Sequence, residues 1–247
     1  MKHTINGTVM QTVNFELEKG ETLFSESGGM SWMSENIKMD TSTRGGLVEG
    51  IKRRFSGESI FLNTFTCLEG TGIITFSSEF PGKIIELDMK LGKEMICQKD
   101  AFMCAQDSVK LEMHFRKKMG AGFFGGEGFI LQKLSGKGKA FVELGGEITK
   151  FTLIKDQTLL VDTGHIAMYE PTVDFDIRLV SGAKNVLFGG EGLFLATLKG
   201  PGTVWLQSLP LSKLAGKIGQ YLTTGSHAGG SRRGGLGTIL DSFGGGV

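Results

Sequence analysis

Two stretches of the chain alternate strictly between apolar and polar residues. Val173, Phe175, Ile177 and Leu179 are separated by Asp174, Asp176 and Arg178, and Val109, Leu111, Met113 and Phe115 by Lys110, Glu112 and His114. A period of two sends every second side chain to the same face of a sheet, so each stretch predicts a strand with one buried and one wet face. Gly-x-Gly pairs and Asp/Asn/Gly clusters separate such stretches as turns. No helical period appears before residue 209.

The pattern recurs three times. Phe55-Ser-Gly-Glu58-Ser-Ile-Phe61-Leu62 matches Phe124-Gly-Gly-Glu127-Gly-Phe-Ile130-Leu131 and Phe188-Gly-Gly-Glu191-Gly-Leu-Phe194-Leu195. Upstream, Leu23, Met95 and Leu159 correspond, as do Met30, Phe102 and Ile166, and Ile37, Val109 and Val173, at constant offsets of 72 and 64. Units of about 65 residues bury little surface alone, and three together can share a core. The expected fold is all-β: three tandem antiparallel β repeats with pseudo-threefold symmetry, prism-like or barrel-like. The repeats cover 10–78, 82–142 and 146–208 of a single domain spanning 1–208.

Residues 209–247 differ in composition. They hold 11 of the glycines and no Glu, and carry a charge of +3 from Lys213, Lys217, Arg232 and Arg233 against Asp241. Leu211, Leu214, Ala215, Ile218, Tyr221 and Leu222 fall on one face of a predicted amphipathic helix, which Gly216 and Gly219 weaken by roughly 1 kcal/mol each. Leu236, Ile239, Leu240 and Phe243 predict a second short helical piece.

Composition narrows the function. The net charge of +1 over 247 residues excludes a chain that binds nucleic acid by bulk charge. Glycine, at 39 residues, is about twice its usual ~7% share, as expected of a chain rich in turns and bulges. No stretch approaches the ~20 apolar residues that span a bilayer, and the N-terminus has no signal-peptide core. Cys67, Cys97 and Cys104 form no C-x-x-C pair and predict reduced, buried thiols in a cytoplasmic protein.

The three Phe-x-Gly-Glu copies, with the Gly-Gly-Leu and basic stretch before the first, resemble the family named for the fungal mitochondrial biogenesis protein "altered inheritance rate of mitochondria", and within it the bacterial and archaeal branch. The likeness covers about residues 5–210. It implies three β repeats, each similar in fold to the subunit of the tryptophan-responsive RNA-binding attenuation protein. RNA binding does not transfer with a fold. The resemblance supplies no catalytic residues and no settled activity.

Among candidate sites, Glu58, Glu127 and Glu191 are equivalent, and three carboxylates around an axis can ligate a hard cation. The competing reading has each Glu accept hydrogen bonds in its own Gly-rich turn, and repetition favours it. Lys52, Arg53 and Arg54 precede the first motif, and Arg116, Lys117 and Lys118 the second. If these segments share one end, they form a basic rim for anionic surfaces, to which Lys213 and Lys217 of the tail add. The competing reading is solvated loops paired with local acids. For the tail helix, packing on the body or on a neighbouring subunit competes with lying on a membrane, and packing is favoured. Gly120-x-Gly122-x-x-Gly125 precedes a strand-like stretch rather than a helix, so no dinucleotide site is expected. No G-x-S-x-G, H-x-H or C-x-x-C occurs.

The sequence therefore predicts a non-enzymatic scaffold or interaction protein, cytoplasmic or peripheral to a membrane. No cofactor, metal ligand or catalytic residue is assigned. Expected partners are a second copy of the chain, an anionic membrane surface and a protein, with no specific nucleic acid. Two other readings stand beside it: a small-ligand or carbohydrate-binding β module, and a metal-dependent enzyme using the repeated glutamates.

Overall fold

The computed structural model describes residues 1–42, 62–117, 128–179 and 194–224. After an N-terminal strand β1 (Lys2–Asn6), the strands fall into three sets of six. The first set is β2 (Thr12–Glu18), β3 (Thr22–Glu26), β4 (Met30–Met33), β5 (Ile37–Ser42), β6 (Leu62–Cys67) and β7 (Thr71–Ser77). The second is β8 (Gly82–Met89), β9 (Met95–Gln98), β10 (Phe102–Gln106), β11 (Val109–Lys117), β12 (Phe129–Gly136) and β13 (Gly138–Gly145). The third is β14 (Ile148–Leu153), β15 (Thr158–Asp162), β16 (Ile166–Tyr169), β17 (Asp174–Leu179), β18 (Phe194–Lys199) and β19 (Gly202–Gln207). A single α-helix among the described residues, α1 (Leu211–Thr224), follows.

Pairing repeats with the sequence. In every set the sixth strand lies between the first and the third, and the fifth between the second and the fourth. Between sets, the second strand of one pairs with the third strand of the next: β3 with β10, and β9 with β16. These seams fuse half of one set with half of the next into two six-stranded sheets, β5-β6-β3-β10-β13-β8 and β11-β12-β9-β16-β19-β14. The remaining halves stay separate, as β1-β2-β7-β4 and β15-β18-β17. Among the described residues none of the four sheets closes on itself, and the all-β fold with a short C-terminal helix is the one expected from sequence.

Burial explains which strands alternate. In β2, Val13, Phe15 and Leu17 are fully buried between half-exposed or exposed neighbours. β10 and β16 are instead apolar almost throughout, because each lies inside a shared sheet with a core on both faces. Phe15 meets Phe76 and Phe141 edge-on, with ring centres 5.9 and 4.9 Å apart, tying the first set to a strand of the second. Each such fully buried ring contributes roughly 1.5–3 kcal/mol from burial alone.

Every pairing is antiparallel, and short turns link strands across sheets, so strand direction alternates along the chain. The turns after the first, third and fifth strands of each set therefore gather at one end of the molecule. At the other end lie the connections 78–81 and 146–147 between sets, the hairpin 7–11 and the start of α1. The strand ends that flank segments 43–61, 118–127 and 180–193 lie there too.

Candidate interaction surface

Of the residues singled out from sequence, the described ones, Arg116, Lys117, Lys213 and Lys217, lie at the second end. The chain leaves β19 through Ser208, whose amide donates to Glu147 O (3.0 Å), and Leu209, whose amide donates to Gly145 O (3.1 Å). A Cβ at Gly145 would overlap the carbonyl oxygen of Leu209, so only glycine permits this approach. Pro210 then stands before the first helical residue, where its fixed φ suits helix entry and its carbonyl accepts from the amides of Lys213 and Leu214.

The first turn of α1 is tied to the third set. Lys213 Nζ lies 3.0 Å from Asp162 Oδ2 and donates to His165 Nε2 at 2.9 Å. His165 Nδ1 in turn donates to Gln207 O at 2.7 Å, which fixes the tautomer that leaves Nε2 as acceptor. Asp162 Oδ1 also accepts from Gly164 N (3.2 Å). Beyond that turn the described side chains of the helix are mostly exposed. Ile218 is 52% exposed and Tyr221 80%, on the predicted apolar face, and Lys217 is exposed beside them. Val9 and Met10, in the hairpin at the same end, are also exposed.

Beside the helix start lies a cavity of about 230 Å³, lined by Leu211, Glu26, Lys99, Asp100 and Glu143 among others. Glu143 is buried on β13, and its Oε2 accepts from Glu79 N at 3.1 Å. Burial above all, with the nearby carboxylates of Glu79 and Asp100, pushes its carboxyl up to about 7. At the equivalent position of the third set stands Gln207. Its Oε1 accepts from Gly145 N (2.8 Å), and its Nε2 donates to Gly164 O (3.0 Å) and Gln98 Oε1 (3.2 Å).

Of the residues singled out from sequence, Glu58, Glu127, Glu191, Lys52, Arg53, Arg54 and Lys118 lie outside the described residues. Arg116 is exposed near the end of β11, and Lys117 Nζ donates to Ile177 O at 2.7 Å, bridging the second and third sets. Lys213 is held by Asp162 and His165 and is not presented outward like Lys217. Among the described residues no group of three or more His, Cys, Asp or Glu side chains is arranged to hold a metal ion. The three cysteines are buried and unpaired, and burial pushes Cys97 up to about 12. Sequence reasoning missed Glu143. The signal was its alignment with Gln207 at offset 64, an acid in one repeat where another carries the neutral isostere.

The sequence profile of the family described as "Mitochondrial biogenesis AIM24" matches residues 3–209. An uncharacterised protein of Streptococcus pyogenes serotype M6 is 31% identical over 237 residues, covering 92% of this chain and 93% of that protein. The crystal structure of a Streptococcus pyogenes protein superposes with a TM-score of 0.74 at 27% identity, covering 89% of this chain and 99% of that one. No helix among the described residues is long and apolar enough to cross a membrane.

Proposed function

The chain belongs to the mitochondrial biogenesis AIM24 family, and from that premise we propose that it works without catalysis, as a scaffold whose helix-bearing end docks on an anionic membrane surface from the cytoplasmic side. One observation carries the reading: α1 is anchored at its first turn while Ile218, on its apolar face, is 52% exposed beside the exposed Lys217. An amphipathic helix tied to a rigid body at its first turn suits insertion into the headgroup boundary. Val9 and Met10 add apolar surface at the same end. Arg116 contributes charge there, each juxtamembrane cation being worth about 1 kcal/mol or less, while Lys52, Arg53, Arg54 and Lys118 lie outside the described residues.

The test is flotation of the full chain with vesicles containing phosphatidylserine, beside a variant carrying Ile218→Glu and Tyr221→Glu. Both positions are exposed, so the fold is kept. The reading expects the native chain to float and the variant to stay in the dense fraction. Equal flotation of both, or of neither, contradicts it.

A further inference from the structure

The second-to-third strand seam forms twice, and its two remaining partners are left over. In the closed seams Ala105 stands opposite Phe24 and Cys104 opposite Ser25, while Tyr169 stands opposite Ile96 and Met168 opposite Cys97. The same offsets place Met33 opposite Leu160 and Trp32 opposite Val161. Yet β4 pairs only with β7, and β15 only with β18, among the described residues.

The cost shows in burial. Cys104 and Met168, the equivalents of Trp32, are fully buried, each plugging the core of the preceding set, whereas Trp32 is 54% exposed. Phe24 and Ile96, the equivalents of Leu160, are buried, whereas Leu160 is 49% exposed. Where Met103 and Cys104 fill the first set, and Ala167 and Met168 the second, the third set has an apolar groove of about 400 Å³ lined by Phe151, Leu159, Leu160, Val161 and Leu206. A dry cavity of ~150 Å³ already admits a benzene ring, so this groove has room for an indole.

The other sheet edges are protected and these two are not. β1, β5, β8, β11, β14 and β17 each carry Lys, Arg, Asp or Glu along the strand, the usual guard against edge pairing. β4 reads Met-Ser-Trp-Met, without a charge. β15 carries only its last residue, Asp162, and that carboxylate is taken up by Lys213 and Gly164. The bulge in β4 between Met30 and Trp32 is no edge defence, because β10 and β16 have it at the equivalent place inside closed seams.

We propose that β4 of one copy pairs with β15 of a second copy in the register Met33 opposite Leu160, seating Trp32 in the apolar groove of the third set. The join completes a third sheet in the order β17-β18-β15-β4-β7-β2, with β1 added at its edge, matching the two already formed over its six repeat strands. A pair of copies that exchanges both edges closes on itself, while passing on a single edge builds a larger ring or filament. Thr12 and Thr75, the polar counterparts of Ile84 and Phe141, confine the contact to the edge strand and its tryptophan. The inference stands apart from the membrane reading, since of α1 it uses only Lys213, which holds the Asp162 carboxylate, and none of the helix's exposed face.

The test places Met33→Cys and Leu160→Cys in one full-length chain, oxidises it, and compares non-reducing electrophoresis with light scattering of the native protein. The native cysteines are buried and do not compete. The expected result is a native mass of at least twice 26.6 kDa and a covalent dimer or larger species from the variant. Trp32→Asp, with an unchanged circular dichroism spectrum, should bring the mass down to one chain. A monomeric native protein overturns the proposal, as does a variant that is unbridged or bridged only within one chain.

Discussion

Glu143 and Gln207 occupy one position in successive sets, and each accepts a main-chain N–H from the chain just before its own set: Glu143 from Glu79, Gln207 from Gly145. The amide of Gln207 also donates to the carbonyl of Gly164 and to Gln98. Glu143 has acids at the corresponding places, Asp100 and Glu26, and can donate only while protonated. Two copies of one structural joint thus differ in whether they respond to pH.

The sign of that response follows from the raised folded value. Glu143 goes from an ordinary 4.5 to about 7 on folding, so the fold favours its protonated form. Stability from this group is full below pH 4.5, declines as pH rises towards 7, and is flat above. The loss is about 3 kcal/mol at most. Glu143→Gln, which copies the third set, should remove the decline and raise the denaturation midpoint at pH 8, with little change at pH 4.5. Urea titrations of both proteins across pH 4–8 check this; parallel profiles would refute it.

Glycine substitutions should divide by position. A Cβ at Gly145 overlaps the Leu209 carbonyl, and one at Gly82 overlaps that of Leu144, whereas Gly216 in α1 faces open space. Gly145→Ala and Gly82→Ala should each cost about 2–3 kcal/mol in thermal or chemical unfolding. Gly216→Ala should instead add helical signal, through a propensity gain of about 1 kcal/mol.

The anchoring of α1 rests on Lys213. Lys213→Met removes its contacts with Asp162 and His165, a half-exposed pair worth about 1 kcal/mol after solvent screening. Amide hydrogen exchange in α1 should accelerate roughly fivefold, while exchange in β9 and β13 stays unchanged. Uniform acceleration everywhere would mean that the contact supports the whole fold rather than the helix alone.

Phe141 links sets by packing on Phe15 and on the ring of His3, whose Nε2 meets Glu86 Oε2 at 2.8 Å. Phe141→Ala should cost about 3–5 kcal/mol and unfold the first and second sets together. Two separate transitions in calorimetry would show instead that the sets are independent.

Strand positions were legible because the offsets recur: Leu23, Met95 and Leu159 fall in β3, β9 and β15, and Met30, Phe102 and Ile166 open β4, β10 and β16. Sequence did not reveal which strands sets share, because Phe-Met-Cys-Ala in β10 is equally a buried strand of one unit and a seam between two. The apolar face of α1 was visible in its spacing. Its exposure was not, since that depends on how Pro210 and Gly145 direct the chain. The basic runs could be read as runs, but only strand direction assigns Arg116 and α1 to one end. Glu143 was passed over because a lone acid in a strand reads as its wet side. Only the second core, pressed on the far face of β13, makes it buried.

The most direct test of the account is partition of the native full-length chain onto anionic and neutral vesicles as salt is raised. The account predicts binding to phosphatidylserine vesicles that weakens several-fold between 50 and 300 mM salt, roughly as expected for a few juxtamembrane cations, with little binding to phosphatidylcholine. Absence of binding to both at low salt, or salt-independent binding to both alike, would contradict it.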